Sequence, residues 1–218
     1  MSTKLLYLTD SYLQQRSAKV TSVFTKGGQT AVTLSQTLFY PQGGGQPSDL
    51  GQIIGKSGTL SVTQVTYNSG NPLHFGKLEG KLTKGDAVNL KLNWDKRFHH
   101  MRLHTAGHIL HEAVMAVTYG VEPIEGMHGI KGGLYIKYKG IIDHTLIPII
   151  QNKVDEIVNQ NLAITTKMVN LKELKHLASW VPQNLPTNKP LRIMQITGFP
   201  PIPDGGTQLK TTGEVDKL

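Results

Sequence analysis

The stretch RLHTAGHILHEAV, residues 102–114, places His104, His108 and His111 within eight positions. Imidazoles at i and i+4 of a helix reach toward a common point, and a neutral imidazole is both a metal ligand and a proton acceptor. His104 and His108 therefore offer metal-binding or acid–base chemistry. At about 100° per residue, His100 joins the other three histidines on one face, while Leu103, Ala106, Leu110, Ala113, Val114 and Val117 lie broadly opposite. The pattern predicts a helix whose histidine side and core side are different sides. Spacing alone leaves a metal site, a catalytic pair and a solvated or hydrogen-bonded face all open. The zincin pattern needs a glutamate between two ligand histidines, but Glu112 follows His111, so that motif is absent. A zinc finger would need cysteines or a second compact histidine pair, and neither occurs.

Two other stretches have residue types suited to binding. YPQGGGQPSDLG, residues 40–51, contains Gly43, Gly44 and Gly45, whose backbone entropy is costly to lose. It lacks the Gly-Lys-Ser/Thr of a phosphate loop. It reads either as a wide turn or as a close approach of backbone to a ligand or another domain, with Gln46, Ser48 and Asp49 as polar contacts. PPIPDGGTQLKTTGEV, residues 200–215, sets Asp204 and Gln208 around Gly205, Gly206 and Thr207. A glycine turn can swing the two side chains toward one point and present its N–H groups to an anion. A tight surface turn is the simpler reading.

These residues need elements to hold them. From Ala18 to Asp95 β-branched and polar residues alternate between glycine-containing turns, which predicts five to seven short strands in a small barrel or sandwich. From Lys96 to about Thr118 the apolar period becomes helical, with Asp95 as the expected N-cap. GGLYIKYKG, LAITTKMV and PLRIMQITGF then read as strands, and HTLIPIIQNKVDEIVNQN and LKELKHLASW as helices. The expected class is α+β: a small β-barrel-like domain over residues 1–95 and an α+β domain over 96–218.

Hydrophobic residues at 38% and charged ones at 17% exclude a disordered chain. The net charge of +8 favours a polyanionic partner. The chain has no cysteine, which excludes disulfides and thiolate ligands. The first residues carry too short an apolar run for a signal peptide, and no segment approaches the ~20 apolar residues of a membrane span. A cytoplasmic protein that makes no membrane contact is expected.

Taken together, FYPQGGGQPSDLG, WDKRFHHMRLHTAGHILHEAV, GMHGIKGGLYIKY and PPIPDGGTQLKTTGEV resemble, in order, segments of the free-standing alanyl-tRNA editing proteins of the AlaX type. That family is related to the editing domains of alanyl- and threonyl-tRNA synthetases. The resemblance implies a β-rich domain followed by an α+β editing domain. It implies hydrolysis of the ester joining serine, and sometimes glycine, to the acceptor end of tRNA(Ala). A pocket built for alanine cannot strongly exclude either amino acid, so a second, hydrolytic site corrects the error. The family holds zinc with the two histidines of His-x-x-x-His and with the cysteine and histidine of Cys-Gly-Gly-Thr-His. His104 and His108 match the first pair. Asp204 stands where the cysteine is expected and Gln208 where the histidine is, which predicts weaker zinc binding.

Two states of the site follow from the resemblance. In one, His104, His108 and Asp204 ligate a metal. In the other, no metal binds, Asp204 orients a histidine, and Gln208 orients water or the substrate's amino group. His104, His108, Asp204 and Gln208 are the expected catalytic residues, and Gly43, Gly44, Gly45, Gln46, Gly205, Gly206 and Thr207 the expected substrate contacts. Lys96, Arg97, Arg102, Lys131 and Lys210 would meet tRNA phosphates. An inactive tRNA-binding relative, or a deacylase of another aminoacyl ester, are the alternatives.

Overall fold

Alternation decides the first half of the chain. In the strand Ala87–Leu92 every second residue points inward, burying Val88, Leu90 and Leu92. Each such side chain stabilises the fold by about 1.5–3 kcal/mol relative to exposure. A computed structural model describes residues 2–68, 70–130, 133–178 and 190–216. It divides into two units, Met1–His100 and Met101–Leu218.

The first unit contains β1 (Lys4–Leu5), β2 (Gln15–Lys26), β3 (Gln29–Leu34), β4 (Gln36–Thr37), β5 (Gly51–Gly55), β6 (Gly58–Asn68), β7 (Asn71–Gly80) and β8 (Ala87–Leu92). Six of them close a barrel in the order β2-β3-β7-β6-β5-β8, every neighbour antiparallel. Closure leaves this sheet no open edge. Val20, Val32, Leu34, Phe39, Ile53, Leu60 and Leu90 fill its interior. β1 and β4 pair in parallel outside the barrel.

His74 on β7 is completely buried in this unit. Its Nδ1 donates to the Val32 carbonyl at 3.0 Å, leaving Nε2 to accept from the Thr37 hydroxyl at 2.8 Å. Burial lowers its pKa from 6.5 to about 4, against the raising effect of the Val32 bond. As pH falls through 6.5 the unfolded chain takes up a proton that the folded barrel refuses until about 4. The stability present above 6.5 is therefore lost across that window. Between pH 7 and pH 5 this difference converts to about 2 kcal/mol. Urea midpoints at the two pH values should show wild type losing about that much more than His74→Leu. Equal pH dependence in the two proteins would rule the account out.

The long helix α1 (Trp94–Val117) starts in the first unit and continues through the second. Asn93, not Asp95, caps it: its side chain accepts from Lys96 N–H at 3.1 Å. Asp95 lies in the first turn, where its charge complements the helix dipole. Arg97 also departs from expectation, being 1% exposed and unable to meet phosphate. Its Nε donates to Asp49 Oδ1 at 2.9 Å and Oδ2 at 3.1 Å, and Nη2 bonds Oδ2 as well. The remaining donors reach the carbonyls of Ser11 and Leu38 at 2.7 and 2.6 Å. Asp49 thus anchors the first turn of the helix.

The second unit adds β9 (Glu122–His128), β10 (Leu134–Lys139), α2 (Ile147–Asn159), β11 (Ile164–Val169), α3 (Leu171–Leu177), β12 (Leu191–Ile196) and β13 (Ile202–Pro203). β9 and β10 form an antiparallel pair, and β11-β12-β13 an antiparallel sheet. The α+β class and the barrel stand as expected, while β9 has no counterpart in the sequence reading. Pro148 opens α2 in its first turn, where its missing N–H costs nothing. Asn170 caps α3 by accepting from Glu173 N–H at 2.8 Å. Among the described residues no helix is long and apolar enough to cross a membrane.

Candidate functional site

The histidine face of α1 is a buried face. His104 is buried and His100, His108 and His111 are partly buried, as Ala113 and Val114 are buried on the other side, whereas Leu110 on the apolar stripe is 37% exposed. The separation into a core side and a wet side therefore fails. What covers the histidines is the segment from Asp204 to Leu209. The segment is fixed at both ends: Asp204 N–H donates to the Arg192 carbonyl at 3.0 Å, and Ile164 N–H to the Lys210 carbonyl at 2.8 Å. Beyond it, Thr212 donates to the Ile157 carbonyl on α2 at 2.7 Å.

His104 Nε2 lies 3.4 Å and His108 Nε2 3.9 Å from Asp204 Oδ1. The three candidate ligand atoms all fall within 4.8 Å of one another. Zinc bonds of about 2.0–2.1 Å put tetrahedral neighbours roughly 3.4 Å apart, so a small inward adjustment brings the three together on one ion. Among the described residues His108 Nε2 is buried with no hydrogen-bond partner. Burial lowers the pKa of His104 against the raising effect of Asp204. It lowers His108 to about 3, with the His104 charge adding to the effect. Burial alone would raise Asp204, but His104, His108, Arg192 and the Gly206 N–H together hold it well below the usual carboxylate range. Neutral imidazoles beside an ionised carboxylate are the protonation states a divalent cation requires, so this donor set fits one.

The other oxygen of Asp204 is committed elsewhere. Gln208 Nε2 donates to Oδ2 at 3.0 Å, and Arg192 Nη1 lies 3.3 Å from it. Gln208 Oε1 accepts from the Thr105 hydroxyl at 2.8 Å, and Thr105 Oγ1 accepts from Leu209 N–H at 3.1 Å. Gln208 is thus strung between the helix and Asp204. With its neighbouring imidazoles neutral, Asp204 has the Arg192 guanidinium as its compensating cation. Arg192 also donates to the Gly206 carbonyl at 2.7 Å. The Gly206 N–H, expected to face substrate, instead donates to Asp204 Oδ1 at 3.1 Å. Gly205 lies beside it, and Thr207 is completely buried.

Sequence reasoning missed two residues. Arg192 reads as one cation in an apolar strand. His128, at the end of β9, stacks on His104 with ring centroids 4.4 Å apart. The available signal was Gly107, a glycine in the middle of a helix, where alanine would ordinarily be better. A Cβ there would stand 2.4 Å from His128 Cε1. His111 is half-buried and stacks on Tyr138, whose hydroxyl lies 3.1 Å from its Nδ1.

The glycine-rich stretch belongs to the first unit. Gly44 and Gly45 have φ of +52° and +77°, which accounts for two of its three glycines by backbone conformation. Gly43 and Gln46 bond each other through their backbones, and the Tyr40 hydroxyl donates to the Gly43 carbonyl at 2.8 Å. Gln46, Ser48 and Asp49 are buried rather than displayed to a ligand. Arg102 Nε donates to the Val215 carbonyl at 2.8 Å, and Lys131 lies outside the described residues.

A family profile described as class II (A) tRNA synthetases matches residues 8–96. Alanyl-tRNA editing protein AlaX-M of Pyrococcus horikoshii is 34% identical over 217 residues, covering 99% of this chain and 89% of that protein. The chain belongs to the alanyl-tRNA editing protein family. AlaX-M of Saccharolobus solfataricus is 31% identical across 99% of this chain and 91% of its own length. AlaX-L of Pyrococcus horikoshii is 32% identical over 96% of this chain, which spans about half, 52%, of that longer editing protein.

Proposed function

We propose that the chain is an aminoacyl-tRNA deacylase that acts in trans on mischarged tRNA(Ala), chiefly Ser-tRNA(Ala) and also Gly-tRNA(Ala). The observation that carries this reading is the convergence of His104, His108 and Asp204 within one buried cluster in a chain of the editing family. An aminoacyl ester is already activated, so the protein has to position water, stabilise the oxyanion and exclude competing solvent. His108 Nε2, without a hydrogen-bond partner among the described residues, accepts a hydrogen bond from the attacking water. Asp204 Oδ1 faces the same space, while Gln208 and Arg192 occupy Oδ2 and hold the carboxylate ionised and aimed. In the alternative state with metal, His104, His108 and Asp204 would instead hold a zinc ion, which would supply the lowered pKa of a water and polarise the ester carbonyl.

Purified protein, at concentrations near that of the substrate, should release serine from Ser-tRNA(Ala). No release from any of a panel of mischarged tRNAs, together with salt-dependent tRNA binding, would establish a binding protein instead. A site of two imidazoles and one carboxylate should hold zinc weakly. Restoring the family donors with the double variant Asp204→Cys, Gln208→His should tighten zinc at least about tenfold in competition with a chromophoric chelator. Unchanged affinity would mean that these positions do not ligate.

A further inference from the structure

We propose that His128 is a positioning residue of this hydrolytic site, holding the His104 ring in the plane from which its Nε2 meets Asp204. The inference rests on the deacylase reading and goes beyond it. Three imidazoles form a triangle: His104 lies 4.9 Å from His108 and 4.4 Å from His128, and the outer pair are 6.0 Å apart. Their planes deviate by only 25–31°, so each contact on His104 is face to face. The helix fixes the Cα and Cβ of His104, but the terminal torsion of an imidazole has broad minima and is set by what touches the ring. Two rings stack on it, His108 and, at the shorter distance, His128.

The slot for His128 is cut by two absent side chains. A Cβ on Gly107 would stand 2.4 Å from its Cε1 and 2.6 Å from its Nδ1, and a Cβ on Gly126 would stand 3.0 Å from its Nε2. The nitrogen-bearing edge therefore faces glycines, and among the described residues the ring makes no hydrogen bond. Packing holds it, and stacking is what it offers His104. Beside it lies a cavity of ≈ 1010 Å³, lined by Leu103, Leu110, Leu134 and Tyr135 together with Gln151 and Asp155. Removing the imidazole takes away the nearer of the two rings stacked on His104.

The test compares single-turnover deacylation of Ser-tRNA(Ala) by wild type, His128→Ala, His128→Phe and Gly107→Ala. A ring that only orients His104 predicts a kcat at least tenfold lower in His128→Ala, with KM within about twofold of wild type. Gly107→Ala should fall similarly although alanine favours the helix, because its methyl collides with the slot. His128→Phe keeps the stack without the nitrogens and should stay within about threefold of wild type. A kcat in His128→Ala above half the wild-type value overturns the proposal, and so does a His128→Phe as slow as His128→Ala. If wild type itself releases nothing, the deacylase reading fails, and the His104 ring-proton chemical shifts still decide the positioning. They should move in His128→Ala and be largely retained in His128→Phe; shifts unmoved in His128→Ala overturn it.

Discussion

His108→Ala is expected to slow serine release from Ser-tRNA(Ala) about a thousandfold while leaving the chain folded. Proton transfer by a positioned group contributes roughly 10²–10⁴-fold, and this residue supplies a candidate ligand nitrogen that is buried without a hydrogen-bond partner among the described residues. The same fact makes it the cleanest variant. Among the described residues its Nε2 has no hydrogen bond to lose, and burying that nitrogen unsatisfied costs roughly 1–3 kcal/mol. The urea midpoint should therefore stay level or rise as activity falls, the trade-off expected where a site is built against stability. Asp204→Ala would be a poorer probe, since it strips Arg192 and Gln208 of their shared acceptor. Serine release by His108→Ala within tenfold of wild type, with mischarged tRNA in single turnover, would remove His108 from the mechanism.

The sequence carried the site's candidate ligands but not their support. His104 and His108 are visible because i, i+4 is a local geometry, and Asp204 and Gln208 because a Gly-Gly-Thr turn joins them. Arg192, His128 and Gly107 act through partners brought near by folding. Arg192 reaches Asp204 across the β12–β13 pair, and His128 reaches Gly107 from β9, a strand with no clear alternation in EPIEGMH. The polarity of α1 was misjudged for a physical reason. Amphipathic periodicity presumes water on one side of a helix, but here the polar stripe is roofed by the Asp204–Leu209 segment and part of the apolar stripe faces a cavity. The barrel was the easier half, because alternation in β8 and glycine-bounded turns follow from the pleat itself.

Asp49→Ala should be the most destabilising single change in the first unit, at about 3–5 kcal/mol. The pair it breaks is almost wholly buried, with side chains 0% and 1% exposed, and removal leaves the Arg97 guanidinium charged without its counter-ion. The other Arg97 bonds, to the Ser11 and Leu38 carbonyls, compensate the charge only partly. Asp49 also accepts from Tyr40 N–H, so the start of the glycine-rich stretch loosens with it. The double variant Asp49→Leu, Arg97→Met removes both charges and should recover much of the loss, since an apolar pair of similar volume often equals a buried ion pair. Urea unfolding of the two single variants and the double would read the coupling. If the double variant is as unstable as the sum of the singles, the two groups do not act as a pair. Proximity of the double to wild type would place the cost in the orphaned charge, and the helix that carries His104 and His108 would then owe its first-turn anchor to shape and satisfied donors rather than to ionic attraction.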